Sequence, residues 1–331
     1  MRVKFNFGKP SGTEDLYDRE DEVKKVISIL TGNGSAALSS IRGMGKSLLV
    51  RAAAEHITDK AIVWIDLENV YSSLDLTQQL ISGIHGAKGV SGADENALNE
   101  VRQNMLTSSF SASGFLDTYF NSYIFHVDRP VLVLDEITHA RRLGRLYDHL
   151  MNILYHGVKH GAFQVMMISS EMGAMLETFN SKQLPFNSLL EWVSLKPLDE
   201  PTSVNFLFEG LEFYGASCPK KMIYEYYRIT EGIPVWLALS GIRMVEGLCN
   251  PEGIYRDDRS VKYVLEHLVE LSKKEIEMLR LISQRQHVGL AGTHLKRSLN
   301  SLIRKGLVAG APSGYMIPDP IMEHMLKYEI L

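Results

Sequence analysis

The segment from Ala36 to His56, AALSSIRGMGKSLLVRAAAEH, limits the chain to few folds. A short run of small and apolar residues leads into a turn with two glycines, a lysine and a serine, and then into helix formers without a breaker. This order predicts strand, loop and helix. Backbone N–H groups of such a loop, backed by a helix N-terminus, cradle phosphate oxygens. Arg42, Gly43, Met44, Gly45, Lys46, Ser47 and Leu48 form one candidate phosphate-binding loop. Lys46 is expected to meet the β- and γ-phosphates of a nucleotide, and the Ser47 hydroxyl to ligate Mg²⁺. One position departs from G-x-x-x-x-G-K-[ST]: Ser40 stands where the first glycine would be.

The surroundings agree with a loop carried on a parallel sheet. Ala61 to Leu67, Pro130 to Glu136 and Phe163 to Ser170 are short, nearly continuous apolar runs, the pattern of strands covered on both faces. Ala140 to His160 places Leu143, Leu146, Tyr147, Leu150, Ile153, Leu154 and Val158 at helical spacing. The alternation predicts a doubly wound α/β core ending near Lys196. Residues 83–114, rich in Gly, Ser, Asn and Ala, read as an excursion with a helix inside it. Beyond Pro197 four helical segments separated by Gly and Pro suggest a helical domain, residues 197–270. The last sixty residues give a helix with Ser272 and Glu275 as a capping box, and a second from Thr293 to a stop at Gly306. Two short strands follow, and helix, helix, hairpin is the order of a winged helix-turn-helix, residues 271–331.

Two acids complete the chemistry of the first motif. VLVLDE ends an apolar strand in Asp135 and Glu136. Asp135 is expected to hold the Mg²⁺ shell, and Glu136 to act as general base towards water attacking the γ-phosphate. Capping of a following helix is the alternative use of such a pair. No N-K-x-D guanine-reading motif is present, which favours ATP over GTP. Ser169, at the end of a further strand, is a candidate contact for the γ-phosphate or the attacking water.

Composition removes other classes. Cys218 and Cys249 are too few for a disulfide framework and lie in no zinc-binding pattern. The longest uncharged run, Val26 to Ile41, falls short of a membrane span, and the N-terminus lacks the apolar stretch of a signal peptide. A cytoplasmic protein without membrane contact is expected.

LYDRED (Leu16 to Asp21), the two phosphate motifs, SSEMGAML (Ser169 to Leu176), EGIPVWLALSG (Glu231 to Gly241) and GYMIPDP (Gly314 to Pro320) follow one another in the order of a known family. The chain resembles the archaeal ATPase family, in the STAND branch of AAA+-like P-loop ATPases. The resemblance runs from about Asp15 to Leu326 and implies an ATPase core (1–196), a helical lid and a winged helix. It further implies that the first 20 residues form an adenine-side segment, with Tyr17, Asp18 and Arg19 against the base, and that Pro234 lies at the lid near the nucleotide. Relatives often carry a Gly-Arg pair near Leu190 and Glu191 that this chain lacks. That leaves Arg42, Arg141, Arg142 or a neighbouring subunit to act on phosphate, and implies slow or partner-stimulated turnover.

Charge is unevenly placed. Residues 272–318 hold eight basic residues against two acids, a net +6, so the rest of a chain with a total of −4 carries −10. A basic winged helix on an acidic body points to duplex DNA, with Thr293, His294, Lys296, Arg297, Asn300 and Arg304 as expected contacts and the Ser313-Gly314 turn near phosphates. The expected function is an ATP-driven switch resetting on hydrolysis. The alternative is a DNA-binding or protein-docking regulator, self-association included, that holds ATP or ADP with negligible turnover, serving replication or transposition of a mobile element among other processes.

Overall fold

The computed structural model describes residues 3–8, 12–87, 111–122, 124, 127–128, 130–285, 293–312 and 314–331. Five parallel strands form the central sheet: β1 (Ser35–Ser39), β2 (Ile62–Asp66), β3 (Val131–Asp135), β4 (Gln164–Ser169) and β5 (Leu190–Ser194), in the order β2-β3-β4-β1-β5. Alternate residues of each strand enter opposite cores. Ala36, Leu38, Val131, Val133, Met166 and Ile168 face one cluster, and Ala37, Leu132, Leu134, Val165 and Met167 the other. Burial on both faces is why these strands read as continuous apolar runs.

The sheet is flanked by helices α1 (Glu20–Thr31), α2 (Lys46–Glu55), α3 (Ser73–Gly86), α4 (Ala112–Ser122), α5 (Arg145–Lys159) and α6 (Met172–Phe179). Residues 83–86 of the expected excursion are the last turn of α3, which starts on a Ser72/Asp75 capping box. Residues 88–110 of that excursion lie outside the described part. Strand β5 is an element that the sequence reading missed. Among the described residues it sits at the sheet edge beside β1, and its exposed Glu191 and Ser194 break the apolar run that marks the other strands.

After β5 come α7 (Glu200–Phe213), α8 (Lys220–Thr230), α9 (Pro234–Val245) and α10 (Asp258–Leu268), with a 3₁₀ turn at Pro251–Arg256. Asp199 caps α7 through the Thr202 N–H at 2.9 Å, and prolines open α7 and α9 where a missing N–H costs nothing. The N-terminal residues join this unit rather than the sheet. Val3 and Phe5 are buried in its core, with Phe5 against Phe206 and Tyr214, while Phe7 meets Trp236 and Tyr263.

The C-terminal unit consists of α11 (Lys273–Ser283), α12 (Thr293–Arg304), a two-stranded antiparallel ribbon β6 (Ala309–Ala311) and β7 (Gly314–Met316), and α13 (Pro320–Lys327). Ser272 and Glu275 form a capping box at the start of α11. Buried Met278, Leu279, Leu299, Leu302, Ile321 and Met325 fuse the unit to the larger core of the sheet. Helix α12 packs on α6, so closely that a Cβ at Gly173 would meet the Ile303 carbonyl at 2.4 Å.

Candidate functional site

The loop after β1 and the C-terminal ends of β2 and β3 line one cleft of about 1360 Å³. Gly43 and Gly45 take φ of +81° and +82°, a left-handed backbone that a side chain would strain. The turn delivers the chain into α2 at Lys46. No side chain caps this helix, so its first N–H groups stay open to an anion. The buried Lys46 ammonium donates to the carbonyls of Ser40 and Ile41 at 3.0 and 3.1 Å. Burial lowers its pKa, an effect that Glu136 and Asp135 oppose. Ser40 thus serves the loop through its backbone, a role indifferent to the missing glycine side of the motif.

The Ser47 hydroxyl donates to Asp135 Oδ1 at 2.9 Å, joining the two segments that the sequence could place only separately. Burial, with Glu136 next, pushes the Asp135 carboxyl up to about 7. Asp66 stands beside it in strand register, and Arg42 pairs with Glu68 at the rim. A hydroxyl and a desolvated carboxylate side by side are hard oxygen donors that suit Mg²⁺. Glu136 adopts φ +53°, an uncommon conformation for a glutamate and one concentrated at functional sites. Its Oε2 accepts from the Ser170 N–H at 2.7 Å and the Ser170 hydroxyl at 2.9 Å, which leaves Oε1 to a further partner.

Ser169 does something other than expected. Fully buried, it shares a 2.6 Å hydrogen bond with Thr138 and accepts from the Glu171 N–H at 3.0 Å, and it does not line the cleft. Strand alternation explains the exchange, because the next residue, Ser170, reaches the acid.

Of the three residues expected against the adenine, two line the cleft and one does not. Tyr17 lines the cleft, but its ring packs edge-on against Phe206 and its hydroxyl donates to Glu209 at 3.1 Å. Burial and Glu209 push its pKa up to about 12. Arg19 also lines the cleft, with its guanidinium donating to the Lys196 carbonyl at 2.6 Å and paired with Glu22 at 3.0 Å. Asp18, at φ +51°, is not among the lining residues.

Pro234 lies at the cleft as the first residue of α9, and the next N–H, of Val235, donates to the Gly43 carbonyl at 3.1 Å. Tyr263 and Glu266 of α10 complete this wall. Behind them His267 is pulled down to about 4, first by burial and then by Arg42. Local patterns in α10 carry no sign of this approach to a loop two hundred residues earlier. Of the three arginines left to act on phosphate, only Arg42 lines the cleft. Arg141 is held by Glu177 at 3.0 Å, and Arg142 by Glu270 at 3.5 Å.

Lys296, Arg297 and Asn300 are exposed on α12. Arg304 is instead engaged with Glu177 at 2.6 Å across the contact with α6. The side chains of Thr293 and His294, and Ser313 of the turn, lie outside the described residues.

The comparisons follow this architecture. The chain is similar to the Walker-type ATPase PABY2304 of Pyrococcus abyssi, with a TM-score of 0.74 and 21% identity over 98% of this chain and 99% of that one. It is also similar to the ORC2 protein of Aeropyrum pernix in its ADPNP-ADP complexes, with a TM-score of 0.55 and 14% identity over 98% and 96%. These identities speak for a shared fold. No curated protein matches the chain. A family described as an ATPase domain predominantly from Archaea matches residues 16–239, two thirds of the sequence, and the chain belongs to that family.

Proposed function

We propose that the protein is an ATP-binding and hydrolysing switch, with a core (1–196), a helical lid (197–270) and a C-terminal winged helix (271–331) that contacts duplex DNA. The observation that carries the reading is the 2.9 Å bond between Ser47 and Asp135 under the Gly43/Gly45 turn, with Glu136 alongside. Amides of the turn and α2 bind the phosphates, and Lys46 exchanges its two carbonyl partners for phosphate oxygens. Ser47 and Asp135 hold Mg²⁺, which supplies positive charge to the phosphate oxygens when bound. Glu136 Oε1 accepts a proton from the water that attacks the γ-phosphorus, the bond to the β-phosphate oxygen breaks, and ADP and phosphate leave.

Two routes of contacts support coupling to the C-terminal unit. From the phosphate loop, the Gly43 carbonyl binds Val235, and the neighbouring Trp236 donates its indole N–H to Asp319, the cap of α13, at 3.1 Å. From the acid side, Ser170 holds Glu136, and its carbonyl lies against Gly306, where a Cβ would approach to 2.8 Å. The basic excess of residues 272–318 and the exposed Lys296, Arg297 and Asn300 support DNA as partner.

The test is ATP hydrolysis with and without duplex DNA. Lys46→Ala should lose nucleotide binding, and Glu136→Gln should bind ATP while turnover drops by about 100-fold or more. Unchanged hydrolysis in both variants would end the enzymatic reading. The second reading, structural nucleotide with negligible turnover, is favoured by the engagement of Arg141 and Arg142 with Glu177 and Glu270. It requires ATP to raise the Tm while phosphate release stays at background.

A further inference from the structure

The sequence contains two cysteines, and the fold brings them together. Cys218 lies in the connection between α7 and α8, and Cys249 after α9, about 30 residues later. Cys249 Sγ lies 3.9 Å from the carbonyl of Ser217, the residue before Cys218, and the two thiols are near enough for Cys249 to raise the pKa of Cys218. Both are partly buried against the core of the helical unit and flanked by exposed residues.

The backbone on each side is fixed. Pro219 follows Cys218 and starts α8 with φ −56°. Around Cys249 the carbonyls of Leu248 and Asn250 lie 2.8 and 3.1 Å from the hydroxyl of buried Tyr226. Arg243, itself paired with Asp257 at 2.7 Å, reaches the same Asn250 carbonyl. The backbone on both sides of the pair is therefore already ordered where a bond between the sulfurs would close.

We infer that Cys218 and Cys249 are a reversible dithiol–disulfide pair that staples the α7–α8 connection to the end of α9. The oxidant class is a low-molecular-weight disulfide such as glutathione disulfide. The Cys249 thiolate attacks one of its sulfurs and expels the first glutathione thiolate. Cys218 then loses its proton and attacks the Cys249 sulfur, expelling the second, so that two protein thiols and one small disulfide become one protein disulfide and two small thiols. Burial, and then the neighbouring Cys249, raise the pKa of the Cys218 thiol, which suits Cys218 to the later, resolving step. The staple makes α7, α8 and α9, which carry Phe206 and Pro234 to the cleft, one body.

The experiment treats the folded full chain with glutathione disulfide and reads intact mass without reductant. The expected product is lighter by about 2 Da, with both cysteines closed to alkylation and the bond opened by dithiothreitol. Closing a loop of about 30 residues should raise the Tm by about 5 °C, and reductant should reverse the rise. In Cys218→Ser the glutathione adduct on Cys249 should persist, because nothing resolves it, and the Tm rise should vanish. Stable glutathione adducts on the unmodified chain without an internal bond, or a bond that forms only in denaturant, would overturn the proposal.

Discussion

Replacing Gly43 by alanine asks whether α9 is seated on the phosphate loop. At φ +81° an L-residue costs about 1–2 kcal/mol relative to glycine. The new Cβ would lie 2.3 Å from Val235 Cγ1 and 3.1 Å from the Tyr263 hydroxyl. Carbon atoms pack at about 3.5–4.0 Å, so Val235 must retreat by more than about 1 Å. Retreat lengthens the Val235 N–H bond to the Gly43 carbonyl, worth about 1 kcal/mol, and repacking adds about 1–3 kcal/mol. The sum is about 3–6 kcal/mol. With Val235→Ala in the background the Cγ1 atom is gone and Cβ, at 3.0 Å, is the nearest side-chain carbon of α9. The cost then falls towards the backbone contribution of about 1–2 kcal/mol, leaving a coupling of about 2 kcal/mol or more. At about 2 °C per kcal/mol, thermal denaturation should show Gly43→Ala lowering the Tm by about 6–12 °C in the wild type and by about 4 °C or less beside Val235→Ala. Equal losses in the two backgrounds would refute the seating, and with it the first route from nucleotide to C-terminal unit.

Ser170→Ala removes one of two donors on Glu136 Oε2 and keeps the N–H, so turnover should fall by about 10-fold at unchanged ATP affinity, read by steady-state hydrolysis and direct binding. Asp319 gives a pH signature. Burial holds its carboxyl at about 6 in spite of hydrogen bonds from Met322, Trp236 and Ile321, against about 3.9 in the unfolded chain. The folded state therefore binds the proton more tightly. The group's stabilising share, about 3 kcal/mol, is complete below pH of about 4 and is lost as pH rises through about 6. The stability difference between wild type and Asp319→Asn, followed by denaturation across that window, should change by this amount. Arg304, paired with Glu177 where both side chains are half exposed, contributes at most about 1 kcal/mol to stability. Arg304→Ala should leave the salt dependence of DNA binding unchanged, whereas Arg297→Ala should reduce its slope by about 1.

The phosphate loop, the acid pair and four of the strands were legible because each is set by a local requirement: glycine where φ is positive, apolar residues where both faces are covered, an acid where the strand ends. What escaped depends on partners distant in the chain. Glu191 and Ser194 look like loop residues until β5 is known to be an edge. Phe5 and Phe7 look like part of an irregular terminus until Phe206, Tyr214 and Trp236 are placed around them. Adjacent serines ending a strand offer no way to tell which one turns to the acid; the pleat sends Ser169 to Thr138 and Ser170 to Glu136.

Charge shows the same limit from another side. The +6 of residues 272–318 is a sum over sequence, and folding sorts it by direction. Lys305 turns inward to Glu275 at 3.3 Å. Burial opposes ionisation of Glu275, yet hydrogen bonds from Ser272 and Ser301 and the charge of Lys305 hold its carboxyl down at about 2. Arg304 meets an acid supplied by α6, a carboxylate from the negative body that the sequence sum assigned elsewhere. The positive charge that α12 leaves for a polyanion therefore belongs to its exposed face with Lys296 and Arg297, and not to the end that carries Arg304 and Lys305. Any DNA contact should weaken when that face is neutralised and should tolerate loss of Arg304, whose end of the helix is docked on α6.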